Sequence, residues 1–381
     1  MRKVFLLALG MFALGLDAYV LAGLLPEMAL DFHRSIGAMG QIVTAFTLSY
    51  ALLSPALAVA TAALDRRVVL VASLSVFALA NVGSIVAPNF WMLILSRSIA
   101  GLAAGTYAPT AAATASGLVP LSVRGRALAI VLGGLTAATV AGVPFGLLIA
   151  AHAGWRMVLT VVIGLSAIAA ASAAWSLPKI QAAVPGLRER FATLSHRVVL
   201  GRIGVMLCAA TASLGLYTYF APVFLTVSPV SPRVLPFFFF LWGIAGLAGN
   251  AMAGLMLDRQ IDPNRILTAA LCVLSIALLL LPFAAVNIFG AAIVIIVWGV
   301  AAWSLQVPLQ HQLAQVAPDH ISSTIALLAS GVYLGSAIGS GVGAVVLHVS
   351  IRWVSPAAGA TVVAALLLHL VTSSAGNRAE S

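Results

Sequence analysis

Long apolar runs separated by short polar segments dominate the pattern of this chain. An α-helix needs about 20 apolar residues to cross the hydrocarbon core of a bilayer. Strands of a membrane barrel are about 9–11 residues long and alternate in polarity. The apolar runs of this chain are longer than that and do not alternate. The pattern therefore predicts an all-α polytopic membrane protein with twelve transmembrane helices. We place these spans at approximately 4–26, 38–63, 68–87, 91–117, 127–150, 156–177, 203–225, 234–257, 266–283, 287–315, 323–348 and 354–373.

Composition and charge agree with a membrane protein. Of the 381 residues, 62% are hydrophobic and only 7% are charged, whereas the average soluble domain is about one quarter charged. If the N-terminus is cytoplasmic, 14 of the 19 Lys and Arg side chains lie on the cytoplasmic side and 4 lie outside, as is usual in membrane proteins. We therefore expect a protein of the inner cell membrane with both termini cytoplasmic, surrounded by lipid and without a nucleic-acid partner.

Two halves are suggested by the longest polar segment, 178–202, which is basic and separates six spans from six. Short matches recur on its two sides, such as Leu64-Asp65-Arg66 with Leu257-Asp258-Arg259. Parallel repeats of this kind are typical of secondary transporters, which bind substrate between the halves. The predicted organisation is an N-terminal half 1–177, a cytoplasmic linker 178–202 and a C-terminal half 203–381.

One acid, Asp17, lies inside the first span, where an ionised carboxylate costs ~2.5–3.5 kcal/mol at mid-bilayer. The chain has nine Asp and Glu residues, and we place the other eight at helix ends, in loops or in the tail. Because burial disfavours the charged form of a carboxylate, Asp17 is a candidate proton carrier. The alternative is a polar residue that makes only a structural hydrogen bond. Arg97, about two turns into the fourth span, either acts with Asp17 or extends to the outer membrane interface.

Neither metal chemistry nor enzyme chemistry is indicated. Cys208 and Cys272 lie within apolar runs, and the sequence has no metal-ligand spacing. An intramembrane enzyme would need a Ser/His, Asp/Asp or His/Glu set at membrane depth, and we identify only one deep acid. We therefore expect no catalytic residues, no metal and no cofactor.

Six motifs occur along the chain: Asp17–Pro26, Gly40–Phe46, Asp65-Arg66-Arg67, Arg97–Gly105, Gly142-Val143-Pro144-Phe145-Gly146 and Gly154-Trp155-Arg156. They resemble those of the major facilitator superfamily, and more closely those of its twelve-span drug:proton antiporter family, in the branch of arabinose-, purine- and chloramphenicol-efflux permeases. The loop after the second span, Leu64-Asp65-Arg66-Arg67, lacks the glycines of the superfamily signature. The resemblance covers essentially the whole chain.

The resemblance implies two pseudo-symmetric six-helix halves that rock around a central cavity. It implies efflux of a small organic compound or drug in exchange for protons, with the proton gradient as energy source and a monomer as the working unit. A proton-coupled symporter that imports a sugar or a nucleobase would use the same parts with opposite coupling. The partial antiporter-like motif in the fifth span is the only sequence feature that favours exchange.

The resemblance and the spacing together nominate residues for three roles besides proton coupling by Asp17 and Arg97. Charged residues at cytoplasmic helix ends could form gating latches, or they could serve only as helix caps and topology signals. The Pro-Gly motif of the fifth span could act as a pivot. Aromatic and amide residues could contact substrate or could bond between helices. The latch candidates are Asp65, Arg66, Arg67, Asp258 and Arg259; the motif residues are Gly142, Pro144 and Gly146; the substrate candidates are Tyr19, Gln41, Tyr107, Tyr217, Tyr219, Trp303, Gln306 and Gln310.

Overall fold

The computed structural model describes residues 1–61, 63–179, 197–228, 231–316 and 321–379, and these residues are almost entirely helical. The helices are α1 (Arg2–Asp31), α2 (Ile36–Ala60), α3 (Arg66–Ile85), α4 (Phe90–Gly117), α5 (Arg124–Ala137), α6 (Val143–Ala153), α7 (Trp155–Ser176), α8 (Arg197–Thr218), α9 (Phe220–Val227), α10 (Leu235–Asp258), α11 (Pro263–Ala284), α12 (Ile288–Ser304), α13 (Gln306–Val316), α14 (Ile321–Val349) and α15 (Val354–Ala379).

Eleven helical segments in the described ranges are long and apolar enough to cross a membrane. The 28-residue α4 is not among them, since serine, threonine and Arg97 interrupt its apolar residues. The prediction of an almost entirely α-helical, multi-pass membrane protein is confirmed at this level. Several boundaries differ from prediction. The helix α1 continues through Pro26 to Asp31, α8 already begins at Arg197, inside the predicted linker, and α15 continues to Ala379. Residues 180–196 of that linker lie outside the described residues.

The helices group into two compact units. One unit contains residues 1–35 and the chain from Gln41 through α7, and the other contains Ile36–Gly40 and the chain from α8 onward. In the first unit, α1 packs on α5 and α7, and α3 packs on α4 and α7. In the second unit, α8 packs on α14 and α15, and α11 packs on α12 and α15. Corresponding helices of the two units therefore have corresponding packing partners, as a repeat of the sequence would produce.

Helix caps recur at matching positions in the two units. Asp65 accepts a hydrogen bond from Arg67 N at the start of α3, and Asp262 accepts one from Asn264 N at the start of α11. Asn89 and Asn287 cap α4 and α12 in the same way. Each cap satisfies a backbone N–H that the helix itself leaves unpaired. Asp258, which matches Asp65 in the sequence repeat, is the last residue of α10 and does not cap a helix start. The structural counterpart of Asp65 is Asp262.

Three long segments change their helical geometry just before a proline. The helix breaks at Tyr219, three residues before Pro222, and at Leu305, three residues before Pro308. Proline has no N–H for the carbonyl four residues earlier, and its ring clashes with that carbonyl. In the fifth span, a π-helical turn at Ala138–Gly142 precedes Pro144 instead. Pro109, by contrast, lies inside an unbroken α4.

Candidate functional site

An ion pair between Asp17 of α1 and Arg97 of α4 lies in the interior of the first unit. Arg97 Nη1 donates to Asp17 Oδ1 at 2.9 Å, and Arg97 Nη2 donates to Asp17 Oδ2 at 2.7 Å. Both side chains are 0% exposed. Parallel bonds of this type are the strong and directional form of an arginine–carboxylate contact. The structure thus brings together the two residues that the sequence nominated for proton coupling.

Two further side chains contact the guanidinium of Arg97. Asn81 of α3 accepts a hydrogen bond from Arg97 Nη1 at 3.1 Å, and its own amide group donates to the carbonyl of Phe77. The ring of Phe46 on α2 lies 4.9 Å from Arg97 Cζ, which is a cation–π distance. Arg97 Nε has no partner in the described part of the chain. Sequence reasoning missed Asn81, although an asparagine inside an apolar span is a detectable signal.

The fifth span packs closely against α1, the helix that carries Asp17. Glycines let the two backbones approach, because a Cβ on Gly15 would lie 2.8 Å from Ala138 Cβ, and a Cβ on Gly146 would lie 2.9 Å from Val20. Gly142, Pro144 and Gly146 are all buried in this contact region. Within the first unit, the antiporter-like motif is therefore a packing surface for the helix that carries Asp17.

The remaining substrate candidates of the first half have different exposures. Tyr107 is 1% exposed and donates from its hydroxyl to Leu7 O at 2.9 Å. Tyr19, two residues after Asp17 on α1, is half-buried, and so is Gln41 on α2. The hydroxyl of Tyr107 therefore joins α4 to α1.

In the second unit, most aromatic candidates belong to one buried cluster of rings. Tyr217 is 4% exposed, and its ring centroid lies 4.5 Å from that of Trp242. Trp303 is half-buried and contacts Trp242 edge-on at 5.7 Å. The other rings of the cluster are Phe220, Phe224, Phe238, Phe239 and Trp298.

Other candidates of the second unit lie outside that cluster. Tyr219 is buried and donates to Ser340 O at 2.7 Å. Gln306 is exposed and Gln310 is half-buried, both on α13. Gln306 therefore has the most accessible side chain of the three.

Five charged residues at helix ends were nominated as latches. Asp65 acts as the cap of α3, as described above. Arg66, the first residue of α3, is buried. Arg67, in the first turn of α3, supplies the capped backbone N–H. Asp258 and Arg259 lie at the end of α10, where Arg259 is exposed.

A second polar network, around Arg202 of α8, was not predicted. Arg202 Nη1 lies 3.0 Å from His369 Nδ1 on α15, and Arg202 Nη2 donates to Asn264 Oδ1 at 3.2 Å. Gln312 of α13 donates to the same Asn264 oxygen, and His369 Nε2 lies 3.1 Å from Thr268 Oγ1. Both Arg202 and His369 are buried. The network connects four helical segments of the second unit without a carboxylate in contact among the described residues.

A third polar group joins α1 to the Gly-Trp-Arg motif at the start of α7. Glu27 accepts from Trp155 N at 3.1 Å, so a carboxylate caps α7. Asp31 accepts from Trp155 Nε1 at 2.8 Å and from Arg156 Nη1 at 2.6 Å. The Asp31 and Arg156 side chains are 38% and 48% exposed, so this pair is at the surface. Exposed pairs contribute little to stability, and we interpret this one as positioning of the helix ends.

No group of three or more His, Cys, Asp or Glu side chains that could hold a metal ion occurs in the described residues. Cys208 and Cys272 are both free thiols.

Comparison with known proteins gives consistent similarities. Residues 7–340 match the family description "Major Facilitator Superfamily". The chain is 31% identical to "Inner membrane transport protein YdhP" of Escherichia coli K12, over 98% of this chain and 96% of the relative. It is 32% identical to a "Chloramphenicol resistance protein" of Streptomyces lividans, over 70% and 69% of the two chains.

It is also 27% identical to a "Probable sugar efflux transporter" of Helicobacter pylori, over 91% of this chain and 89% of the relative. Among solved structures, a bacterial homologue of the human lysosomal transporter Spinster, inward-facing and unoccupied, matches with a TM-score of 0.76. That match has 15% identity and covers 98% and 95% of the two chains. It supports the fold alone.

Proposed function

Because the chain belongs to the major facilitator superfamily, we propose that it is a proton-coupled antiporter that exports a small organic compound by alternating access. The superfamily relatives are transporters, which agrees with the expectation of a non-enzymatic protein. In this proposal the two halves have six membrane spans each, and α4 is the span that polar residues make less apolar. The proton gradient supplies the energy, and no cofactor takes part.

The observation that carries the proposal is the ion pair of Asp17 with Arg97. A fully buried carboxylate and guanidinium can change their interaction when the carboxylate takes up a proton. Arg97 stays charged throughout, because a guanidinium is not deprotonated in proteins. Breaking a buried pair is strongly unfavourable, by about 3–5 kcal/mol when one partner is removed. Protonation of Asp17 is therefore an event large enough to favour one conformation of the transporter over another.

Protonation from the outside would also couple the cycle to the membrane potential. One elementary charge that crosses 100 mV gains about 2.3 kcal/mol. This term alone could maintain a gradient of roughly 50-fold for a neutral substrate, since about 1.4 kcal/mol corresponds to a factor of ten. One proton per cycle is thus sufficient for useful export.

Export is favoured over import by the names of the relatives, two of which are described as an efflux transporter and a resistance protein. We place the protein in the inner membrane with cytoplasmic termini, on the strength of the basic residues in the predicted inner loops. A monomer is the working unit that the family resemblance implies. The substrate in this proposal is a small, partly apolar organic compound. The candidate contact residues are mostly aromatic and offer few polar atoms, so they suit a ligand with few polar groups.

The test is transport by purified protein in liposomes that contain a pH-sensitive dye. Chloramphenicol, arabinose and purines are added in turn to wild type, to Asp17→Asn and to Asp31→Asn. We expect one class of compound to move protons in the opposite direction to itself in wild type. Asp17→Asn should abolish this proton movement. Asp31→Asn is the matched control, because it removes an exposed carboxylate from the same helix and should leave coupling in place.

Two outcomes contradict the proposal. If protons and compound move in the same direction, the protein is an importer. If Asp17→Asn couples protons as well as Asp31→Asn does, the ion pair is structural and another group carries the proton.

A further inference from the structure

We propose that Asn81 is a positioning residue that holds Arg97 in place while Asp17 is protonated. This inference rests on the proposed function, since it concerns the same ion pair. It extends the site from α1 and α4 to Asn81 of α3, a residue that was not nominated from the sequence.

The hydrogen bonds of Arg97 identify Asn81 as the only neutral acceptor that contacts its guanidinium among the described residues. Nη1 donates to both Asp17 Oδ1 and Asn81 Oδ1, and Nη2 donates to Asp17 Oδ2. The ring of Phe46 faces the guanidinium but accepts no conventional hydrogen bond. When Asp17 is protonated, it still accepts from Arg97 but more weakly, so the bond from Arg97 to Asn81 becomes relatively more important.

Asn81 is itself held in a fixed orientation. It is 0% exposed, and its Nδ2 donates to Phe77 O at 3.0 Å, one turn earlier on α3. This bond assigns Nδ2 as the donor and leaves Oδ1 to face Arg97. Ser84 and Ser96 are bonded at 2.8 Å and join α3 to α4 one turn from Asn81. The acceptor is thus preorganised and needs no rearrangement when the charge on Asp17 changes.

The consequence is an unequal effect on the two protonation states of Asp17. With Asp17 ionised, Arg97 has two bonds to the carboxylate, and Asn81 adds a third. With Asp17 protonated, the bonds to a neutral acid are weaker, so the bond to Asn81 stabilises the charged Arg97 relatively more. Asn81 therefore favours proton uptake by Asp17. A residue that served only to pack α3 against α4 would affect both states equally.

The test measures protonation of Asp17 directly and needs no substrate. Infrared spectra of purified protein in liposomes are recorded across a pH series, and the protonated-carboxyl band that disappears in Asp17→Asn is followed. In Asn81→Leu the acceptor is lost, so the midpoint of this titration should move to lower pH. In Asn81→Asp a second carboxylate faces Arg97, so the pair should take up its first proton at higher pH. Each change should be about tenfold in proton affinity.

Ser84→Ala is the matched control, because it removes a buried polar contact between α3 and α4 without touching Arg97. It should leave the midpoint where wild type has it. If Asn81→Leu does not fold, Asn81→Asp still tests the proposal, since it keeps the size of the side chain. A midpoint that is unchanged in Asn81→Asp, or that shifts equally in Ser84→Ala, overturns the role of Asn81.

This result is separable from the proposed function. The titration of Asp17 can respond to Asn81 even if dye-loaded liposomes show import or no proton coupling, in which case only the antiport proposal fails. Conversely, antiport that depends on Asp17 together with a titration that ignores Asn81 removes only the present inference.

Discussion

Each of the two compact units buries an arginine among polar side chains from neighbouring helices, but only one of these arginines contacts a carboxylate. Arg97 in the first unit is bonded to Asp17 and Asn81. Arg202 in the second unit is bonded to His369 and Asn264. Both side chains also leave Nε without a partner in the described residues. The guanidinium environments are therefore similar in burial and different in charge.

The difference in charge determines what each network can do. Arg97 and Asp17 form a pair whose net charge changes when one proton is bound. In the second network, Arg202 is always a donor, so His369 Nδ1 must be the acceptor and the imidazole must be neutral. Its Nε2–H then faces Thr268 Oγ1. We infer that the first network is suited to proton coupling and that the second joins helices. The two units therefore share an order of packed helices but differ in the chemistry of their buried arginines.

The largest expected effect is that of removing Arg97. Arg97→Leu leaves Asp17 buried without its cation, and we expect a loss of about 3–5 kcal/mol in the free energy of unfolding. The double variant Asp17→Leu, Arg97→Leu should recover most of this stability, because an apolar pair of similar volume replaces the ions. Unfolding by SDS in mixed micelles measures both. A double variant as unstable as the single one would show that the ion pair is not the source of the loss.

Removal of Arg202 should have a smaller effect. Arg202→Leu leaves one neutral acceptor, His369 Nδ1, without a donor, because Asn264 Oδ1 still accepts from Gln312. An unsatisfied neutral group costs about 1–3 kcal/mol. The same unfolding measurement applies, with the exposed Arg265→Gln as control. A loss equal to that of Arg97→Leu would mean that Arg202 also depends on a buried ion pair, and the two arginines would then not differ in the charge of their partners.

The second network should also make stability depend on pH. Protonation of His369 would place a second cation 3.0 Å from Arg202, so the bond exists only with a neutral imidazole. This contribution to stability should be present at pH values where the imidazole is neutral and should be lost as the pH falls and the imidazole takes up a proton. His369→Asn cannot be protonated and should show less of this dependence. Equal pH profiles for wild type and His369→Asn would contradict the assignment.

The sequence predicted one network and not the other for a physical reason. Asp17 and Arg97 are charged residues within apolar spans, so the cost of burial identifies them without a structure. Arg202 was assigned to the polar linker, because basic residues at the start of α8 hide the true beginning of the helix at Arg197. The role of Asn81 also depends on which helices are neighbours, and that information is not local in sequence.

Helical geometry shows a similar division. The sequence nominated only the motif of Pro144 as a pivot. In the structure, helix breaks precede Pro222 and Pro308, whereas Pro109 and Pro26 lie inside continuous helices. A proline removes one hydrogen bond wherever it occurs. Whether the helix then breaks, continues or adopts a π-turn depends on the packing of its neighbours, and the sequence pattern does not contain that packing.

The smallest expected effect should be the same in both units. Tyr107→Phe and Tyr219→Phe each remove one hydroxyl that donates to a helix carbonyl, that of Leu7 at 2.9 Å and that of Ser340 at 2.7 Å. Each of these carbonyls lies inside a helix and also faces the N–H four residues later, so each loss should be only about 0.5–1 kcal/mol. Unfolding in mixed micelles measures both variants, and the transport assay shows whether either hydroxyl also contacts substrate. Matching small losses with unchanged transport would confine the difference between the units to their buried arginines. A markedly larger loss in one variant would mean that the units also differ in how their helices are joined.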